Sequence, residues 1–147
     1  DSRENEFPEQ IPAGVDKVVN EEVIDEIERM PAGSYFIVMT HNHQLDLELT
    51  AEILKRNDFA YYGLIGSQTK RAKFEHRLRD RGFDPAVVAR MRCPMGLAEV
   101  KGKLPVEIAV SIAGEVIATY NAAFGQESKK GQPSVAKLLP ASRRTQA

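Results

Sequence analysis

Apolar residues in this chain fall into two kinds of run. Ser34 to Thr40 (SYFIVMT) and Phe59 to Ile65 (FAYYGLI) are short, nearly unbroken and rich in aromatic and branched side chains. They predict strands covered on both faces, as in a parallel sheet. Elsewhere the apolar residues recur every three or four positions, which predicts helices. Val23, Ile24 and Ile27 mark one over Glu21–Met30, capped by Asn20 and ended by Pro31–Gly33. Leu45, Leu49 and Ile53 mark a second from about Gln44 to Arg56. A third follows Ser67, carries many cations and ends at Gly82, a residue suited to the position just past a helix. Asp84 and Pro85 form an N-cap and first-turn pair for a short helix through about Arg90. Met91 to Cys93 reads as a brief third strand stopped by Pro94. Leu104 to Phe124 is the longest helix, with Ile108, Ile112, Val116 and Tyr120 at four-residue spacing.

Helices and strands therefore alternate, which is the pattern of a doubly wound α/β sheet with three layers. Three strands are few for such a sheet, so a first βαβ portion is expected upstream of Asp1. Ligands of open α/β sheets sit beyond the carboxyl ends of the strands. The loops Thr40–Gln44, Gly63–Thr69 and Cys93–Gly102 occupy that edge.

Composition narrows the setting. A chain of 147 residues, 42% hydrophobic, has enough apolar material for one core and one domain. Residues 1–124 are assigned to it, and 125–147, mixing Gly, Pro, Ser, Lys and Gln, to a flexible tail. A net charge of −1 gives no basis for bulk nucleic-acid binding. No apolar run reaches the ~20 residues of a membrane span. One cysteine, Cys93, precludes an internal disulfide and fits a reducing, cytoplasmic setting.

The strand, glycine turn and basic helix at 59–74 have the order of parts of an anion site. Gly63 and Gly66 permit close backbone approach, Ser67 caps the helix, and Lys70, Arg71 and Lys73 place cations in its first two turns. An ordinary solvated helix whose cations answer Glu75 and Asp80 is the alternative. His41 and His43, with Asp46 behind them, have the spacing of a metal site, or of a loop that caps the next helix. Thr40 and His41 line the crevice edge by position. Cys93, beside Arg92, reads either as a thiolate with a lowered pKa or as a small buried apolar residue. An acidic residue after the second strand of a dinucleotide fold binds ribose, a role open to Asp1, although the glycine fingerprint is absent from the chain.

Taken together the segments resemble the carboxyl-terminal domain of the XdhC/CoxI family, accessory proteins of xanthine dehydrogenase and related molybdenum hydroxylases. The match is carried by Asp1-Ser-Arg-Glu with Phe7-Pro8, Val38-Met-Thr-His41 with Asp46-Leu47, Tyr62-Gly-Leu-Ile-Gly-Ser67 with Lys70-Arg71, Arg92-Cys-Pro-Met-Gly-Leu97 and Pro105-Val-Glu-Ile-Ala-Val-Ser-Ile-Ala113. The resemblance implies a Rossmann-like fold whose first strand and glycine turn precede the aspartate matched by Asp1. It implies a molybdenum cofactor chaperone rather than an oxidoreductase, one that holds the cofactor for sulfuration and inserts it. Gly66, Ser67, Lys70 and Arg71 would hold the molybdopterin phosphate, with Cys93 near the metal or the sulfur in transfer. The implied partners are an apo xanthine dehydrogenase-type hydroxylase and a sulfur-donating cysteine desulfurase. Separately, the unpaired sheet edges expected of an incomplete sheet point to association with the missing amino-terminal portion or with a second copy. The alternative is a nucleotide-binding Rossmann enzyme using NAD(P), ATP or CTP, or a subunit of a xanthine dehydrogenase complex.

Overall fold

A computed structural model describes residues 1–125, and the tail expected at 125–147 lies, beyond Gly125, outside them. The chain falls into two compact units, Asp1–Met95 and Gly96–Ala147.

The first unit is built on two parallel strands, β1 (Tyr35–Val38) and β2 (Tyr61–Leu64), with Tyr35 opposite Tyr61 and Val38 opposite Leu64. The crossover between them contains α2 (His43–Arg56), preceded by the single-turn α1 (Asp25–Arg29). After β2 come α3 (Gln68–Asp80) and α4 (Pro85–Val88). Caps explain the boundaries. Asn42 accepts from the N–H groups of Gln44 and Leu45, Ser67 from Lys70, and Asp84 from Ala86. Asn57 closes α2 in the left-handed conformation at φ 53°.

Three sequence expectations change. The first helix is five residues long rather than ten, because Asn20 turns the chain locally, accepting from Glu22 N at 2.9 Å, and leaves Glu21–Ile24 outside the helix. Both strands shorten to four residues. The third strand contracts to a single parallel bridge between Gly63 and Arg92, made by Arg92 N–H to Tyr62 O and Leu64 N–H to Arg92 O, both at 2.9 Å. Pro94, whose peptide bond with Cys93 is cis, removes the next donor the ladder would need. Parallel pairing makes the unit α/β, but two strands and one bridge do not make a doubly wound, three-layer sheet among the described residues.

The core lies where α2 and α3 meet the sheet. Leu47, Ile53, Leu54, Tyr62, Leu64 and Leu78 are almost wholly buried, joined by Phe36, Phe74, Met91 and Cys93. α2 is buried on more of its circumference than the Leu45–Leu49–Ile53 stripe predicts, since Leu47 and Leu54 are inside and Leu45 only half so. Arg90 secures the approach to β2 from outside the core. It donates to Phe59 O at 2.6 Å and stacks 3.9 Å over the Phe59 ring.

Among the described residues the second unit consists of a loop and α5 (Pro105–Phe124). Leu104 N–H donates to Glu107 Oε2 at 2.9 Å, satisfying one donor of the helix start. The loop from Gly96 lies along one side of the helix: Gly96 N–H reaches Glu115, and Leu97 and Ser111 exchange hydrogen bonds. A Cβ at Gly114 would stand 2.6 Å from Leu97, so glycine there is what lets the loop approach. Of the four residues expected to face inward, only Ile112 is buried, while Tyr120 is 52% exposed.

Candidate functional site

The carboxyl ends of β1 and β2 are joined by a buried ion pair that the sequence reading missed. Asp46 sits in the first turn of α2 with no solvent exposure. Its Oδ1 accepts from Thr40 N–H at 3.1 Å and from Thr40 Oγ1 at 2.6 Å, and its Oδ2 meets Lys70 Nζ at 2.6 Å. Lys70 gives a second hydrogen bond to Ile65 O at 2.9 Å. One carboxylate and one ammonium thus tie the loop after β1 to the turn after β2. The signal was present in the sequence: Asp46, Leu49, Thr50 and Ile53 share a helix face, and a carboxylate on a buried face needs a cation.

This changes the meaning of Gly66. A Cβ there would fall 2.6 Å from Lys70 Cδ, so the glycine makes room for the lysine stem on its way to Asp46. At Gly63 a Cβ would meet the Tyr61 hydroxyl at 2.6 Å and Met95 Sδ at 2.9 Å. The space over both glycines, expected to admit a ligand, is filled by the protein's own side chains.

The other cations of the basic helix are largely answered too. Arg71 Nε pairs with Glu75 at 2.7 Å and its Nη1 donates to Cys93 O at 3.1 Å. Arg81 forks onto Glu48 at 3.0 and 2.8 Å and holds that carboxyl below its usual range. Helix α3 is therefore close to the alternative foreseen for it, with acids matched to its cations. At its start Ser67 Oγ accepts from Lys70 N–H at 3.2 Å.

Cys93 is buried, with Sγ 4.0 Å from Ser67 O. Burial pushes its thiol up, against the opposing pull of Lys70 and Arg71. The nearby cations do not produce the lowered pKa that a ready thiolate needs. Behind it, burial also raises Tyr62, whose phenol meets Thr50 Oγ1 at 2.5 Å while that hydroxyl donates to Asp46 O at 2.6 Å.

Thr40, Ser67, Lys70, Arg71 and Cys93 thus form one connected set. Asp1 and His41 belong elsewhere. With Thr40 they line a mostly apolar cavity of about 550 Å³ beside β1, walled by Val23, Ile27, Phe36, Val38 and Leu49. The Asp1 carboxylate is occupied by Arg3, at 3.1 Å from Nε and 2.9 Å from Nη2. His41 and His43 are exposed, whereas Asp46 is turned inward and spent on Thr40 and Lys70. The His41–His43–Asp46 metal grouping does not form, and no cluster of three His, Cys, Asp or Glu occurs among the described residues.

Comparison with known proteins agrees with this architecture. Residues 1–116 match the model of the XdhC Rossmann domain. The uncharacterized protein YqeB of Escherichia coli K12 is 30% identical over 105 residues, 71% of this chain but 19% of its own length. A solved structure described as a xanthine dehydrogenase from Bacillus halodurans superposes with a TM-score of 0.56 at 22% identity, over 83% of this chain and 32% of that one. The chain therefore spans a fifth to a third of the relatives it matches. With four-fifths of its length under one family model, the chain belongs to the XdhC Rossmann-domain family.

Proposed function

We propose that this chain supplies one wall of a molybdenum cofactor site in an accessory protein of a xanthine dehydrogenase-type hydroxylase. The observation that carries the reading is the linkage of Thr40, Ser67, Lys70, Arg71 and Cys93 at the carboxyl end of the strands, the edge where open α/β sheets take ligands. The donor set fits a phosphate. The first-turn N–H groups of α3 would face such a group, and Arg71, paired with Glu75 and anchored to Cys93 O, would bring a guanidinium beside it. Lys70 shapes the turn from inside through Asp46. Bound there, the cofactor would supply the molybdenum and the sulfur ligand that the hydroxylase needs. The buried Cys93 thiol suits a wall beside that sulfur better than a nucleophile. An apo-hydroxylase and a cysteine desulfurase are the partners of this reading, in a reducing cytoplasm. No described helix is long and apolar enough to cross a membrane.

The test is retention of cofactor by the protein purified from cells that make it, read as molybdenum and as oxidised, fluorescent pterin. Arg71→Glu is expected to lower retention at least tenfold, and Arg79→Glu, at the far end of the same helix, to leave it unchanged. Equal retention in the two variants sinks the assigned wall.

A second reading draws on the cavity beside β1. Its volume of about 550 Å³ and apolar lining suit a nucleoside, with Thr40 and His41 at its rim. Calorimetric titration with NAD(P), ATP and CTP separates it from the first, because heat from any of them at micromolar affinity supports nucleotide binding and silence from all removes it.

A further inference from the structure

Helices α3 and α4 bound a groove that meets the strand edge only through Arg71. Gly82, at φ 85°, turns the chain between the two helices, its N–H on Arg79 O and the Phe83 N–H on Leu78 O. One rim is Arg71, Glu75 and Arg79, at successive four-residue steps along α3. The other is Pro85 and Ala89, and the more buried Phe83 and Val88 form an apolar floor. At about 200 Å³ the groove is smaller than the ~300–1,000 Å³ of a small-molecule site and admits little more than a side chain. Its charge is unbalanced. Glu75 is spent on Arg71 at 2.7 Å, whereas Arg79 pairs with no acid among the described residues.

We infer that this groove docks an acidic segment of a partner protein, taking one apolar side chain on Phe83 and Val88 and the neighbouring carboxylate on Arg79. An arginine beside an apolar pocket is the composition of interface anchors, and a guanidinium holds a carboxylate through two parallel hydrogen bonds. A nucleic-acid backbone is the poorer occupant, because it needs a row of free cations and here Glu75 interrupts the rim. The unit from Gly96 does not offer such a segment. Glu107 and Glu115 already accept from backbone N–H groups, Glu99 is followed by Lys101 and Lys103, and Glu127 stands alone among the cations of residues 126–147.

Fluorescence anisotropy of the 147-residue protein with a fluorescein-labelled Gly-Leu-Glu-Glu-Gly peptide tests the groove. Saturable binding with a Kd below ~1 mM is expected, and at least tenfold weaker binding of the Gly-Leu-Gln-Gln-Gly peptide. Arg79→Glu, and Ala89→Trp, which fills the groove, are each expected to weaken binding at least tenfold with thermal unfolding unchanged. Lys73→Glu, the same charge change on another side of α3, is expected to bind as the unmodified protein does. Absence of binding overturns the inference. So does a loss in Lys73→Glu equal to that in Arg79→Glu, or an equal, Arg79-dependent affinity for a fluorescein-labelled oligothymidylate. The readout needs no bound cofactor, so its failure is distinct from a failure of retention at the strand edge.

Discussion

The two edges of the β1–β2 ladder live in different surroundings. On the β2 side the ladder continues into Arg92, Met91 and Cys93 pack beneath it, and the turn beyond is tied down by Lys70 and Asp46. On the β1 side nothing continues it among the described residues. Ile37 and Met39 are 41% and 54% exposed, and the apolar cavity opens alongside. One edge is finished by side chains of this chain. The other is left with unpaired backbone groups among the described residues.

Removing the ammonium should break the finished edge most severely. Lys70→Met leaves Asp46 buried without its cation and is expected to cost ~3–5 kcal/mol of stability in urea unfolding. Adding Asp46→Asn should restore most of that, since the amide oxygen still accepts from Thr40. A double variant no more stable than Lys70→Met would show that the pair does not organise this edge.

Next in size is the hydroxyl chain beneath it. Thr50 donates to Asp46 O, so the Tyr62 phenol must be the donor to Thr50. Thr50→Val strands a buried phenol and is expected to cost ~1–3 kcal/mol, whereas Tyr62→Phe removes a donor and leaves Thr50 satisfied, costing less. The reverse order in thermal unfolding would refute that direction of donation.

Cys93 then gives the finished edge a pH signature. Its folded pKa is raised above that of the unfolded chain, so its contribution is complete below ~8.5 and is lost as pH rises through the folded value. The unmodified protein should lose stability in alkali more steeply than Cys93→Ala, by at most ~1.4 kcal/mol per pH unit. Parallel curves for the two would remove the argument.

The smallest effect belongs to the open edge. Ile37→Lys should change stability by no more than ~0.5 kcal/mol while lowering light scattering from concentrated solutions, because a charge there hinders strand addition. Unchanged scattering would mean that the edge is not sticky.

The same contrast explains what could be read in the sequence. The strands, α2, α3 with its Ser67 cap, the Asp84–Pro85 start and α5 follow from periodicity and capping, which are local. The first helix was overread because Asn20 both caps helices and makes turns of its own. The site was legible as a set of loops but not as a set of roles. Lys70 and Asp46 are 24 positions apart, and only the fold shows that the cation looks inward instead of toward solvent. Cys93 stays between two readings for a related reason: its neighbour Arg92 is visible in sequence, but the burial that favours the small apolar residue over the thiolate is not.

The clearance over Gly66 also ties the fates of three positions together. A side chain at position 66 collides with the Lys70 stem, and a shorter residue at 70 abandons Asp46 inside the protein. Neutralising 46 first leaves the Lys70 ammonium, whose side chain is only 10% exposed, without its anion. Each single step thus opens on a stranded charge or a steric clash. Three positions scattered over two helices and a turn therefore behave as a single heritable unit.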